Sequence, residues 1–449
     1  MIVERIRKIT NETTQKFILW GLTVLIFLLP VPQFLMPDNR RMISLQATIL
    51  MFALFYFAFL IAIEVINKRF KLKGSGWAIK FLAVLALMGV VSVLISKNKY
   101  LAIYGAWERY EGLFSLFSYY CIFLVATLLE NEKYRRYLLY CFIGLGCVVS
   151  VYGVLQFMEL YEPGFRFPGM AYVPMRNPNF YAAFAVMFTG ITMGGFFLCD
   201  KKEEMAHWGI LKNRSLWYTL VLLGYSACVS SSSTVVYVGL IMMFALFLFT
   251  EIATKRRKFI PFILLLLGLG VIIVIFNLCR NGGVTAEITS VWNQIQEEGS
   301  VFGDSVGTER MQKWKVTCSL LPKYGLFGCG IEQLGDTVLV ADIKESFTYF
   351  DRAHNEYLHI WITEGIFAVI SYIAFLCALF FPGMKRFIKK GKKGYQGTDL
   401  ISEIALFAFF GYIAQAFFNI SVVQVAPYFW MICGLVYRKK ETDEETTNC

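Results

Sequence analysis

Runs of about 18–20 apolar residues recur along the chain, each long enough to cross a hydrocarbon core of about 30 Å. They predict twelve helical spans, near 17–36, 46–66, 77–95, 112–129, 137–158, 179–198, 216–231, 234–250, 259–278, 355–381, 401–418 and 423–437. The apolar run from 216 to 250 is nearly continuous, but Ser230-Ser231-Ser232-Ser233-Thr234 divides it into a hairpin. Connections are short everywhere except between the ninth and tenth spans. There, from Arg280 to Arg352, the chain turns to charges, glycines and tryptophans, then re-enters an apolar helix through Asp351-Arg352-Ala353-His354-Asn355-Glu356. The fold class this predicts is an all-α polytopic membrane protein: one integral domain over 1–449, with one long loop over 279–354. The sequence has no low-complexity tract or evident internal repeat, which weighs against a transporter built from inverted halves.

Composition agrees, with 57% hydrophobic and 17% charged residues. A formal charge of +11 raises the question of nucleic acid, and its distribution answers it. Lys and Arg gather in alternate loops, at Lys68 to Lys73, Lys133 to Arg136, Lys201 to Arg214, Lys255 to Lys258 and Lys385 to Lys393. With Arg5 to Lys16 and Arg438 to Lys440, these hold most of the 43 basic residues. Such alternation marks the cytoplasmic side of a membrane protein. It predicts both termini in the cytoplasm and the long loop outside, with lipid and no nucleic acid as partner. The long polar lead and the lack of a small-residue cleavage site argue against a removable signal peptide. Of the 11 cysteines, most fall inside spans. Cys318 and Cys329 are spaced to allow a disulfide in an oxidising exterior, and no Cys/His spacing suggests a metal.

Inside the long loop, Thr285 to Glu298 and Thr308 to Leu321 have helical spacing, with Met311, Trp314, Lys315 and Cys318 on one face. Pro322 is expected to stop the second helix, and Tyr324 to Gly330 form a glycine-dense turn. Together these short helices predict a lid over the outer leaflet.

Three histidines narrow the chemistry. His207 falls in a cytoplasmic loop, and His359 lies just over one helical turn inside the tenth span. His354, at the outer boundary of that span, is the natural proton acceptor; the alternative is a helix-start His bonded to backbone. Glu364 lies ten residues further on, about 15 Å deeper at a helical rise of about 1.5 Å per residue. It is placed to support the fold or line a polar cavity rather than share a proton with His354. Arg109, Arg176 and Arg310 sit on separate outer loops. Singly each reads as a headgroup-facing residue; converging beside a His, they would bind pyrophosphate.

His354-Asn355, nine residues and then Gly365 resembles the His-Asn-x9-Gly-x-x-Gly signature of the O-antigen ligase and polymerase superfamily. Arg310-x3-Trp314 leading to Pro322 and Gly325 to Gly330 is similar to that family's outer-loop block. Arg176-Asn177-Pro178-Asn179 and Gly105 to Gly112, with Arg109, resemble two further blocks in the same order. Two positions depart from the pattern. Ala368 replaces the last glycine, and Ser231-Ser232-Ser233-Thr234 stands where the family often has Ser-Arg-Gly, moving any phosphate contact made there onto Arg176, Arg109 or another residue. The resemblance implies a glycosyl transfer without metal or other cofactor on the outer face of the cytoplasmic membrane. The donor would be an undecaprenyl-pyrophosphate-linked glycan, and the acceptor a glycan or a lipid-linked molecule. His354 would be the general base; Arg310, Arg176 and Arg109 would hold the leaving pyrophosphate; Asn355, Glu364 and Trp314 would support the site. A flippase or transporter for lipid-linked oligosaccharide is the competing expectation, and it calls for broken helices, internal symmetry and several charges near mid-membrane.

Overall fold

The computed structural model describes residues 6–36, 39, 41–70, 76–161, 167, 169–199, 205, 207–254, 259–280, 283–340, 349–393 and 400–437. Among them there are helices and turns and no strand. Nine helices among the described residues are long and apolar enough to cross a membrane. They are α1 (Asn11–Leu28, continued by a short helix Val31–Leu35), α2 (Arg41–Ile66), α3 (Trp77–Ile95), α5 (Glu132–Phe157), α6 (Pro178–Leu198), α8 (Val235–Thr254), α9 (Phe259–Cys279), α14 (Ile366–Lys393) and α15 (Leu400–Gln415). Three shorter helices, α4 (Leu113–Leu128), α7 (Arg214–Ser230) and α16 (Ala426–Val436), fill the remaining predicted positions. The serine-rich turn separates α7 from α8 as its composition requires. The basic runs at 71–73, 201–204, 255–258 and 438–440, and Arg5, lie outside the described residues.

The bundle is organised around α6, which is buried from Tyr181 to Leu198. Its glycines explain how. A Cβ on Gly194 would come within 2.8 Å of the Ile404 carbonyl oxygen, and one on Gly190 would overlap the Ala408 backbone. Small residues let α6 and α15 approach backbone to backbone, the contact that binds helices where lipid removes the hydrophobic incentive. At the other extreme α9 exposes Leu264, Leu267, Val271, Val274 and Leu278, an apolar surface suited to acyl chains.

Between α9 and α14 lie α10 (Gly283–Glu298), α11 (Val306–Tyr324), α12 (Leu334–Val340) and α13 (Glu356–Glu364). Three sequence expectations change here. The span predicted over 355–381 is two helices, because Gly365 adopts φ 93° and breaks the run. Pro322 does not stop its helix, which runs on to Tyr324; so close to the C-terminus proline forfeits a single backbone bond. Cys318 and Cys329 are free thiols, the first exposed and the second buried. Val316, Leu320, Leu334, Val338, Phe350 and Ala353 form a small core of their own that docks on Ile362 of α13.

The break and the glycine-dense turn are interlocked. Cys329 N–H donates to the Ile362 carbonyl at 2.8 Å, Gly330 N–H to Thr363 at 3.0 Å, and Ile366 N–H to the Gly325 carbonyl at 2.8 Å. These bonds satisfy backbone groups that the interrupted helix leaves unpaired. Gly328, at φ 89°, has no room for a side chain, since a Cβ would overlap the Thr363 carbonyl oxygen.

Candidate active site

His354 lies in the turn that enters α13, at φ 49°, a left-handed conformation unusual for a residue with a side chain. Its neighbours fix it there. Asn355 caps α13, its Oδ1 accepting from Leu358 N–H at 3.1 Å. Ala353 is fully buried in the small core. Asp351 accepts two bonds from Arg109, from Nε and Nη2, each at 2.9 Å. Arg352 is buried, bonded through Nη2 to Glu332 and through Nη1 to His359 Nε2 at 2.6 Å. A guanidinium only donates, so His359 Nε2 accepts and its proton sits on Nδ1.

Arg310 of α11 is 8% exposed, and its Nη1 donates to the Gly307 carbonyl at 3.3 Å. It meets no carboxylate among the described residues, and burial lowers its pKa. Burial, then the charges of Lys313, Arg310 and Arg109, push the His354 imidazole down to about 3, with Asp351 acting the other way. His354 is therefore neutral at physiological pH and faces a cationic surface. Burial also raises the Asp351 carboxyl, but the Arg109 charge and hydrogen bonds, aided by Arg352, hold it at about 2.

Arg176, at φ 64°, is buried just before Asn177, which caps α6. A chain of contacts ties that corner to α11. Ser233 Oγ donates to Asn179 Oδ1 at 2.7 Å, and Asn419 Nδ2 to the Asn179 carbonyl at 2.8 Å. Beside Asn419, Phe418 packs on Trp314 with ring centroids 5.6 Å apart. The serine turn thus contributes a hydroxyl, not a cation, to the corner where Arg176 sits.

The structure brings His354, Arg310 and Arg109 into one electrostatic environment and connects Arg176 to it through the 416–419 turn. It also gives Arg109 an acidic partner, Asp351, and makes Trp314 a packing residue. Glu364 lies elsewhere: with Glu111, Glu332, Arg352, Glu356 and His359 it lines a cavity of about 60 Å³ behind the His354 turn. Among the described residues, no cluster of three His, Cys, Asp or Glu side chains is arranged to hold a metal ion. Sequence reasoning missed Asp351, Arg352, Glu332 and Lys313 as parts of the site. The first two were visible as charges flanking His354; Glu332 was not, because its partner is 20 residues away.

Residues 218–373 match the family model described as O-antigen ligase. That segment carries the O-antigen ligase signature. It runs from α7 through α10 to α13 into α14, and so contains Arg310, Trp314, His354, Asn355 and Glu364, while Arg109 and Arg176 precede it. No curated protein matches the chain. The O-antigen ligase signature on an apolar helical bundle points to a membrane protein of polysaccharide biosynthesis that carries out glycosyl transfer.

Proposed function

We propose that the protein transfers or polymerises a glycan from an undecaprenyl-pyrophosphate donor at the outer face of the cytoplasmic membrane. The observation that carries this reading is a neutral, partly buried His354 within reach of the charge of a buried Arg310 that meets no carboxylate among the described residues. A base must be unprotonated to act, and an unpaired buried cation calls for an anion. His354 takes the proton of an acceptor sugar hydroxyl as that oxygen attacks the anomeric carbon. The bond from that carbon to the pyrophosphate oxygen breaks, and its electron pair leaves on the pyrophosphate. A single displacement inverts the anomeric centre. Arg310 and Arg176, with Lys313 nearby, stabilise the charge developing on the leaving group, a task that metal ions perform in other enzymes. Arg109 acts through Asp351 by holding the turn. The segment 279–354 is a lid facing outward, and both termini are cytoplasmic, as the alternation of basic loops supports.

The donor also tunes the base. After burial, the charges of Lys313 and Arg310 contribute to the lowered His354 pKa, and a pyrophosphate held there offsets them, so donor binding raises its basicity. The test is His354→Ala in a cell that depends on this gene for surface polymer, with protein level checked. Loss of polymer with accumulation of lipid-linked single repeats supports a polymerase; accumulation of full-length lipid-linked polymer supports a ligase. Unchanged polymer refutes the base assignment.

A further inference from the structure

The face of α13 turned toward the cavity carries Glu356, His359, Thr363 and Glu364, the spacing at which a helix normally buries apolar residues. Buried polar groups almost always have partners, so each exception calls for an explanation. Glu356 has them: Tyr372 donates to it at 2.5 Å and Tyr412 at 3.5 Å. So does Glu111, which accepts from Tyr119 at 2.6 Å. Glu332 is paired with Arg352. Glu364 is different. It is 5% exposed and meets no hydrogen-bond donor or cation among the described residues, with Oε2 enclosed. His359 Nδ1, which carries that ring's proton, and Arg352 Nε are likewise enclosed and without partners. All three residues line one cavity.

The occupant follows from the donor set. Two N–H groups belong to the cavity-lining residues, which disfavours a metal cation. The carboxylates outnumber the one guanidinium, which disfavours an anion. A buried carboxyl without a counter-ion keeps its proton and can then donate as well as accept. A volume of about 60 Å³ holds a few water molecules, each of which needs two to four polar partners.

We propose that this cavity is a buried hydration site, in which a small water cluster bridges Glu364, His359 Nδ1 and Arg352 Nε. Arg352 lies two residues before His354 and anchors its turn, so the cluster makes Glu364 and His359 positioning residues for glycosyl transfer. Glu364 needs no direct line to the base: it acts through water on the residue that holds the base in place. Misplacing a catalytic group by about 1 Å costs on the order of a hundredfold in rate, so even partial loosening is measurable.

The positioning role rests on the proposed function; the hydration site does not. Two measurements on full-length protein in lipid nanodiscs separate them. A high-resolution density map is expected to show ordered solvent within hydrogen-bond distance of Glu364 and His359 Nδ1. A side chain closing the cavity, or a single peak with cation coordination, overturns the hydration site. In transfer assays Glu364→Leu, which replaces the carboxyl with hydrocarbon of similar size, is expected to lower kcat by about tenfold or more while the donor KM stays unchanged. Glu364→Gln, which keeps size and polarity, is expected to recover most of that loss. Equal losses in both variants, or a loss confined to KM, overturn the positioning role. If His354→Ala transfers glycan as well as wild type, the base assignment fails and the positioning role with it, and the density map still decides the hydration site.

Discussion

The pair Arg109–Asp351 decides whether Arg109 grips the substrate or the His354 turn. Both bonds are 2.9 Å, with side-chain exposures of 21% and 41%. Asp351 is held at about 2 against an ordinary 3.8, a difference that converts to about 2.5 kcal/mol if taken at face value. Its carboxylate is partly in solvent, so screening reduces the contribution to about 1 kcal/mol. The sign follows from linkage. A carboxyl depressed by folding stabilises fully above its unfolded value near 3.8, and the contribution is lost as pH falls through about 2. Arg109→Ala, Asp351→Ala and the double variant form the cycle, read by thermal unfolding at pH 7 in detergent and by transfer in proteoliposomes. A clamp gives a coupling of about 1 kcal/mol. It also gives similar drops in kcat for both single variants, an unchanged donor KM, and a double variant no worse than either. If Arg109→Ala raises the donor KM while Asp351→Ala does not, Arg109 contacts pyrophosphate and the clamp is refuted.

Other perturbations test the site and its scaffold. His354→Ala is expected to reduce transfer by about 10²–10⁴-fold with the unfolding temperature little changed; a smaller loss argues against a general base. Because pyrophosphate offsets the cations around His354, the acid limb of kcat should lie at higher pH than that of kcat/KM, and coincident limbs would contradict this. Folding lowers the His354 pKa from 6.5, so its contribution to stability is present above that value and is lost as pH falls toward 3; unfolding across that range in wild type and His354→Ala measures it. Arg310→Lys keeps the charge but loses the planar fork, and is expected to raise the donor KM by about tenfold. Gly328→Ala combines positive φ with a clash against backbone, and should destabilise by about 1–3 kcal/mol or more, read as lost thermal stability.

The helices were legible because apolar length is a local property, and the serine turn marked its hairpin by composition alone. Gly365 was legible as a motif residue but not as a break, since apolar residues continue on both sides of it. His354 and Arg310 stood out by residue type and position. The acidic partners did not. Glu332 and Asp351 acquire their roles from arginines that the fold carries to them, and one of those partners, Arg109, is separated from Asp351 by 242 positions. The polar stripe of α13 was on the page as Glu356, His359, Thr363 and Glu364. Only the bundle around it shows that this stripe faces inward.

The interlock at Gly325 to Gly330 also bears on how the cap formed by α10 to α13 is held. At that end the cap is bolted to the broken helix by backbone bonds on both sides of Gly365, whereas α10 rests chiefly on α9 and α11. On the proposed function, α10 rather than the bonded turn is the end expected to give way to a lipid-linked donor.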